Sequence, residues 1–568
     1  MVTMKSRILK YIGFILSGIL VSMGFPGYQF PTLGYGIVLP FSLIPLFIAI
    51  ETLPKIHAIQ SNLKEHYTSF SPNQRAFQSF IAFWIFGFVI QIFAFFWISK
   101  PIIYFSSLKP YIAYPLYAGI SLLTSLYFPF IFSPLIFKTW YSTRHPNKKF
   151  PLAALAMCVV LLEIIAPRFF NWTFGSLMHS EIYISQIASI FGFNIISFFI
   201  IFTSLSLAKS IVEFSKNKGS LLVTILINLF LWGIIFSFGY YRLQFADTLI
   251  QNSKTTRVAY VQPNFTFNSI ASMALPSQDS QRQNLPRLIE MSYDAIHKAL
   301  KADGRKPDLL VWPESATQSF FMLDEHDLKT VKSLTAATQV PILIQATKWN
   351  LSDIQSMGIE KAPVWSASFL IRPDGSKSKD YEKWIPMPFG ESFPLESYFP
   401  ILGETYRKVF ENASKLEIGK SYEALAYTKK EFVAPLICFD SINPELPRLE
   451  ATKGKASIFV NQANFVWMVN SNAGLEFSIL NQFRTIENSR GLVMVSNTGP
   501  TMAFDPYGRI IIQPTKLLTQ STGYIDVPLS NETTIYSMFS NWPMIILGLL
   551  STLWLFISMK KNTNEYKR

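Results

Sequence analysis

The sequence predicts a polytopic α-helical membrane bundle of about eight transmembrane helices, joined to an α/β domain lying outside the cytoplasm. Three observations carry that prediction. Apolar runs of near bilayer length fill the first part of the chain and return at its end. Basic residues gather on alternate sides of those runs. Between residues 242 and 541, short β-rich runs alternate with stretches of helical spacing. At 568 residues, 50% hydrophobic and 15% aromatic, the chain is too apolar for a soluble enzyme and too charged for a membrane bundle alone.

The apolar runs are Ile8 to Met23, Leu33 to Ile50, Ser79 to Ser99, Tyr111 to Phe137, Pro151 to Ala166, Tyr183 to Ala208, Ser220 to Gly239 and, alone, Trp542 to Met559. Each approaches the roughly 20 apolar residues that span a bilayer. The first follows Lys5, Arg7 and Lys10 as a signal peptide would, but no Ala-X-Ala-like site comes after it, so it reads as an uncleaved helix. With a cytoplasmic N-terminus, eight spans put the basic groups of 5–10, 55–75, 138–149, 209–218 and 560–568 inside, and leave only Lys100, Lys109 and Arg168 in the short outer loops. Both termini are then cytoplasmic, and the chain divides into a membrane domain (1–241), an outer domain (242–541) and a last helix with a basic tail (542–568). The formal charge of +14 becomes in part a topology signal, and no nucleic-acid partner is implied. Glu163 is the conspicuous ionisable residue within a span. An ion pair with Arg168, a little over one turn on, or snorkelling is its ordinary reading; contact with a lipid head group is the alternative.

In the outer block, strands are expected at 257–262, 309–312, 341–345, 366–371, 432–437, 457–461 and 492–496, with turns at Asp374-Gly375 and Tyr507-Gly508. Leu285, Leu288, Ile289, Tyr293, Ile296 and Leu300 follow helical spacing, as do Leu475, Ile479, Phe483 and Ile486. The polar stretch from Ser277 to Asn284 is the one linker-like segment, and the alternation argues an α/β domain with its own core. Two cysteines supply neither a disulfide framework nor a zinc site, and Cys158, in an apolar run, reads as a small hydrophobe. Six scattered histidines show no metal-binding spacing, so neither a metal nor a cofactor is called for.

Three expected strand ends carry chemistry. Glu314 follows 309–312, Lys383 follows the strand and turn 366–375, and Cys438 follows 432–437. A thiol with an ordinary pKa of ~8.5 is only slightly ionised at neutral pH and needs a base or a nearby cation. Glu314 can accept its proton, and desolvation would raise that carboxylate toward the working range of a general base. Lys383 can stabilise a thiolate and, with a backbone N–H near Phe439, the oxyanion of a tetrahedral intermediate; one such donor is worth ~3 kcal/mol.

Trp312-Pro313-Glu314, Tyr381-X-Lys383 with Pro388-Phe389-Gly390-Glu391, and Ile437-Cys438-Phe439-Asp440 resemble the Glu-Lys-Cys motifs of the nitrilase (carbon–nitrogen hydrolase) superfamily. Val261-Gln262-Pro263-Asn264 is similar to its opening strand motif, and Arg484-X-X-Glu487-X-X-Arg490-Gly491 to its late helix motif. With seven spans before the domain and one after, the chain resembles the apolipoprotein N-acyltransferase branch. The resemblance implies a nitrilase-like αββα sandwich on the periplasmic face of the cell inner membrane, and a two-step reaction. Cys438 would take an acyl chain from a phospholipid, phosphatidylethanolamine by expectation, as a thioester. The α-amine of a diacylglyceryl apolipoprotein would then accept it, the last step of lipoprotein maturation.

By the same resemblance, Glu391 supports the lysine and the base. Trp384 and Phe389 line the acyl pocket or belong to an aromatic core. Phe393, Leu395, Tyr398, Phe399, Ile401 and Leu402 form a lid or membrane-dipping arm, or pack as ordinary core. Two departures bear on substrate choice. Phe439-Asp440 stands where the family has Tyr-Glu, and Asn461-Gln462-Ala463-Asn464-Phe465 where it has Asn-Asp-X-Trp-Phe. Asn464 is therefore a candidate substrate contact that has lost the family's tryptophan. A membrane-anchored nitrilase-type amidase and a non-catalytic lipoprotein binder are the rival readings.

Overall fold

A computed structural model describes residues 2–27, 34–52, 71–106, 108–145, 148–168, 170–265, 284–317, 320–359, 361–394, 396, 398–409, 415–468 and 471–564. Leu33, Lys55, Lys64, residues 277–283, Leu395, Lys567 and Arg568, named above, lie outside the described residues. The chain forms two compact units, one of 1–99, 109–242 and 539–568, the other of 100–108 and 243–538.

The first unit is helical. Among the described residues, five helices are long and apolar enough to cross a membrane: Pro72–Ala94, Pro110–Ile131, Asn194–Glu213, Lys218–Gln251 and Trp542–Met559. The first, second and fifth expected spans come as the shorter apolar helices Tyr11–Ser22, Gly36–Thr52 and Leu152–Ile165. Two expected spans are broken. In the fourth, the span Pro110–Ile131 consists of the helix Pro110–Thr124 and, after a turn at 125–126, the short helix Tyr127–Ile131, and the separate helix Ser133–Arg144 follows. The sixth begins at Asn194 and not at Tyr183, because Gly192 turns the chain at φ +72° after two short helical turns. Hydropathy sees the apolar run but not its corners.

Small and polar side chains knit the helices, as expected where apolar contact alone gains little against lipid. Ser79 Oγ meets Thr139 Oγ1 at 3.3 Å, Asn228 Nδ2 donates to Ser206 Oγ at 3.0 Å, and Trp232 Nε1 to Thr203 Oγ1 at 3.0 Å. Cys158 packs as a small buried residue with Sγ 3.2 Å from Thr552 Oγ1. The expected Glu163–Arg168 ion pair does not form. Glu163 Oε1 accepts from Phe174 N at 3.1 Å, while Arg168 donates to Asn171 Oδ1 (2.9 Å), Tyr127 Oη (3.0 Å) and the Trp172 carbonyl (3.1 Å).

The second unit is a sandwich of two six-stranded sheets. Its strands are β1 (Thr255–Gln262), β2 (Leu309–Val311), β3 (Ile342–Trp349), β4 (Val364–Ile371), β5 (Tyr381–Glu382), β6 (Leu425–Ala426), β7 (Phe432–Ile437), β8 (Ile458–Ala463), β9 (Gly491–Ser496), β10 (Met502–Phe504), β11 (Ile510–Ile512) and β12 (Ser521–Pro528). One sheet runs β12-β1-β2-β3-β4-β5, the other β11-β10-β9-β8-β7-β6. The centres β1-β2-β3 and β7-β8-β9 are parallel, and the other pairings are antiparallel. Parallel central strands are covered on both faces, which is why they read as unbroken apolar runs. Val258, Val311, Leu343, Ile437, Val460 and Val493 fill the space between the sheets. Helices Asn284–Asp303 and Glu325–Thr338 cover the outer face of the first sheet through Leu288, Ile296, Val331 and Leu334. Helix Ala473–Asn488 is buried at every position but Glu476.

Candidate active site

Each chemistry-bearing residue leaves the C-terminal end of a strand. β2 stops at Val311, and Pro313, with no N–H for a ladder, is followed by Glu314. β5 delivers Lys383, whose amide donates to Ser366 O of β4 at 2.8 Å. β7 stops at Ile437, and Cys438 takes φ +46° to open the tight turn Cys438–Ile442. A non-glycine residue held there costs ~1–3 kcal/mol and persists only where its surroundings over-determine it. The Cys438 carbonyl is held by Asn461 Nδ2 (3.1 Å) and Ser441 Oγ (3.2 Å), and Asn461 also donates to the Leu436 carbonyl (2.8 Å).

The side chains converge in the interior. Lys383 Nζ donates to Glu314 Oε1 at 3.1 Å and lies 2.8 and 2.7 Å from the two oxygens of Glu391, whose Oε2 also accepts from Met387 N at 2.7 Å. The Cys438 thiol neighbours Glu314, whose charge acts on it. Glu314, Lys383 and Cys438 are all buried. Burial lifts the Glu314 pKa above the ordinary carboxylate range against the pull of Lys383, and the charge of Glu391 adds to the rise. Burial and the charge of Glu314 push the Cys438 thiol well up, Lys383 opposing them. Burial alone would discharge Lys383, but Glu314 and Glu391 hold it well above its usual value. The arrangement gathers a thiol and a lysine ammonium around one carboxyl group. It can take the thiol proton and offer a cation where negative charge would grow.

Asp440 joins the same cluster from behind. Its Oδ1 accepts from Trp384 N (3.0 Å) and Ile385 N (2.8 Å), and its Oδ2 from Ile437 N (3.2 Å). It thereby ties the segment after Lys383 to the strand before Cys438. Burial raises its pKa to about 7, although Lys383 and the three amides draw it down. Behind it Tyr381 Oη donates to the buried Glu450 Oε1 at 2.6 Å.

The other expected site residues are not in this cluster. Phe439 is buried with its ring 6.0 Å from Phe477. Trp384 turns its Nε1 to the Ser421 carbonyl (2.7 Å) and its ring toward Tyr422. Phe389 is exposed and packs with Phe393 and Tyr406. Asn464 is buried, its Oδ1 accepting from Val466 N and Asn497 Nδ2, each at 3.2 Å. Tyr398, Phe399, Ile401 and Leu402 are between 54% and 77% exposed, which excludes the core-packing alternative for them. Sequence reasoning assigned no role to Asn461, Gln345, Ser366 or Ser368. Their signal was available: each is a polar residue inside an apolar strand run, and a buried polar group must find a partner. Among the described residues no group of three or more His, Cys, Asp or Glu side chains has metal-holding geometry.

Comparison with known proteins accounts for most of the chain. Residues 257–535 match the carbon-nitrogen hydrolase family, and residues 17–206 match the apolipoprotein N-acyltransferase N-terminal domain. The chain is 27% identical to the apolipoprotein N-acyltransferase of Borreliella burgdorferi over 97% of its own length and 96% of the relative's. It is 24% identical to apolipoprotein N-acyltransferase 1 of Leptospira interrogans over 92% and 96%. Among solved structures it is similar to Saccharomyces cerevisiae Nit3 of the nitrilase superfamily, at 18% identity and a TM-score of 0.35, covering 51% of this chain and 95% of that one.

Proposed function

The chain belongs to the apolipoprotein N-acyltransferases of the nitrilase superfamily, membrane acyltransferases acting on lipoproteins, and from that premise we propose a thioester mechanism carried by Cys438, Glu314 and Lys383. The observation that carries it is the buried cluster in which Lys383 Nζ holds Glu314 and the Cys438 thiol lies within reach of both charges. In the first step Glu314 takes the thiol proton and Sγ attacks the ester carbonyl of a phospholipid acyl chain. The C–O bond breaks, and the departing lysophospholipid oxygen receives the proton from Glu314. Lys383 and the N–H near Phe439 stabilise the intermediate oxyanion. In the second step the free α-amine of the acceptor's diacylglyceryl cysteine attacks the thioester, Glu314 takes a proton from it, and the thiolate leaves and is reprotonated. Glu391 keeps Lys383 charged and in place.

Phosphatidylethanolamine is the donor in this reading. The protein sits in the inner membrane with both termini cytoplasmic and the sandwich outside, an orientation supported by the distribution of basic residues. The exposed apolar side chains of Tyr398, Phe399, Ile401 and Leu402 support an arm that meets lipid. The test is intact-mass analysis after incubation with phosphatidylethanolamine vesicles. An acyl adduct on the parent but not on Cys438→Ala, discharged by a diacylglyceryl peptide and not by water, is expected. Discharge to water alone would favour an amidase-type hydrolase, and no adduct at all would remove the reading.

A further inference from the structure

Glu314 sits in a four-residue bend whose two ends are held by neutral amides. At the leading end, Gln462 Nε2 of β8 donates to the Trp312 carbonyl at 2.7 Å. At the trailing end, the amide of Ser315, at φ +55°, donates to Gln345 Oε1 of β3 at 2.7 Å. The far side of each glutamine is braced by a serine of β4: Ser368 Oγ donates to Gln462 Oε1 at 2.7 Å, and Gln345 Nε2 donates to Ser366 Oγ at 2.8 Å. All four side chains are buried, and the Ser366 carbonyl also accepts the amide of Lys383. A carbonyl can only accept and an amide N–H can only donate, so the orientation of both glutamine amides is dictated by the bend. Gln462 reaches it from the opposite sheet, the one that carries Cys438.

We propose that Gln462 and Gln345, braced by Ser368 and Ser366, are positioning residues that hold Glu314 against the Cys438 thiol. The proposal rests on the assignment of Glu314 as base and Cys438 as nucleophile. Two consequences follow from the chemistry. Gln462 acts as a donor, so an ionised carboxylate of the same shape would set two acceptors against each other. A neutral amide also supports the bend without adding negative charge beside Glu314 and Glu391, which would raise the base further.

The test follows alkylation of Cys438 by iodoacetamide in the full-length protein, read from the mass of the peptide that bears it, between pH 5 and pH 9. The titrations of Glu314, Lys383, Cys438 and Asp440 and the neighbouring side chain of Glu391 are common to parent and variants, so the ratio of rates at each pH isolates the substituted residue. Gln462→Leu, which cannot donate, is expected to alkylate at least about ten-fold more slowly than the parent at every pH. Gln462→Glu should recover to within about two-fold at pH 5, where the protonated carboxyl donates to Trp312, and fall at least about ten-fold behind by pH 8. A Gln462→Leu rate equal to the parent's, or a Gln462→Glu loss that is the same at every pH, overturns the proposal. Alkylation needs no acyl donor, so a missing acyl adduct would count against the acyl-transfer reading without touching this result.

Discussion

Cys438, Glu314 and Lys383 are buried together, and their charges interlock, so on the proposed mechanism none of them should be replaceable by a near-isostere. Cys438→Ser presents a much weaker nucleophile, Glu314→Gln removes the proposed base, and Lys383→Ala leaves the buried Glu314 carboxylate facing the half-buried Glu391. Each should lower acyl-adduct formation at least about a hundred-fold, measured by intact mass on folded protein. In the parent the rate should rise with pH along an acid limb lying above the ordinary carboxylate range, because burial lifts Glu314. Asp440 bears on stability. Its pKa rises from 3.8 to about 7 on burial, so the folded state holds a proton that the unfolded chain releases. That contribution is complete below about pH 4 and is lost as pH rises toward 7. Asp440→Asn should flatten this part of the stability curve. It should also cost ~1–3 kcal/mol overall, because an amide cannot accept from all three N–H groups. Equilibrium denaturation of parent and variant at pH 4 and pH 7 checks both.

At the scale of elements, what the sequence made legible was decided by burial. β1, β7 and β9 fall within two residues of where their apolar runs place them, because central parallel strands must be apolar on both faces. The Asp374-Gly375 and Tyr507-Gly508 turns are found too, with Gly375 at φ +78° and Gly508 at φ +82°. β5, β6, β10, β11 and β12 have no counterpart among the expected strands. All but the eight-residue β12 are two or three residues long and exist only through pairing with a neighbour, which no local pattern announces. Gln345 escaped notice and Gln462 was read only as a departure from the family's aspartate, for a related reason: a glutamine in a strand has no assignable role until its partner on another strand is known. In the helical unit the decisive local feature is a close approach. A Cβ on Gly87 would lie 2.1 Å from the Phe128 ring, which packs on the helix Pro72–Ala94. Gly87→Leu should therefore destabilise that unit by ~1–3 kcal/mol, seen as a lower melting temperature in detergent.

The α/β unit as a whole is closed by its chain ends. β12 returns to pair with β1, and the buried Arg257 grips Asp526 of β12 and Asp303 at the end of helix Asn284–Asp303, each through two N–H···O bonds of 2.6 to 2.8 Å. The hydrogen bonds from Arg257 hold the Asp303 pKa down to about 2, so its contribution is present above about pH 4 and lost as pH falls toward 2. Arg257→Met should reduce the steepness of acid unfolding in that window, measured by circular dichroism between pH 5 and pH 2. An unchanged acid transition would show that the closure is held by strand pairing alone.

Sequence alone determined the two regimes of the chain and the alternation of its α/β block, and it singled out the three residues to which the proposed chemistry is assigned. These are legible because bilayer thickness, strand periodicity and the need for a thiol, a base and a cation each write a local pattern. Only the tertiary structure decided which groups meet. It placed Asp440 across the segments bearing Lys383 and Cys438, separated Glu163 from Arg168, and brought Gln462 and Gln345 to either side of Glu314. Hydrogen bonds between distant strands depend on register and sheet packing, and those are properties of the whole sandwich.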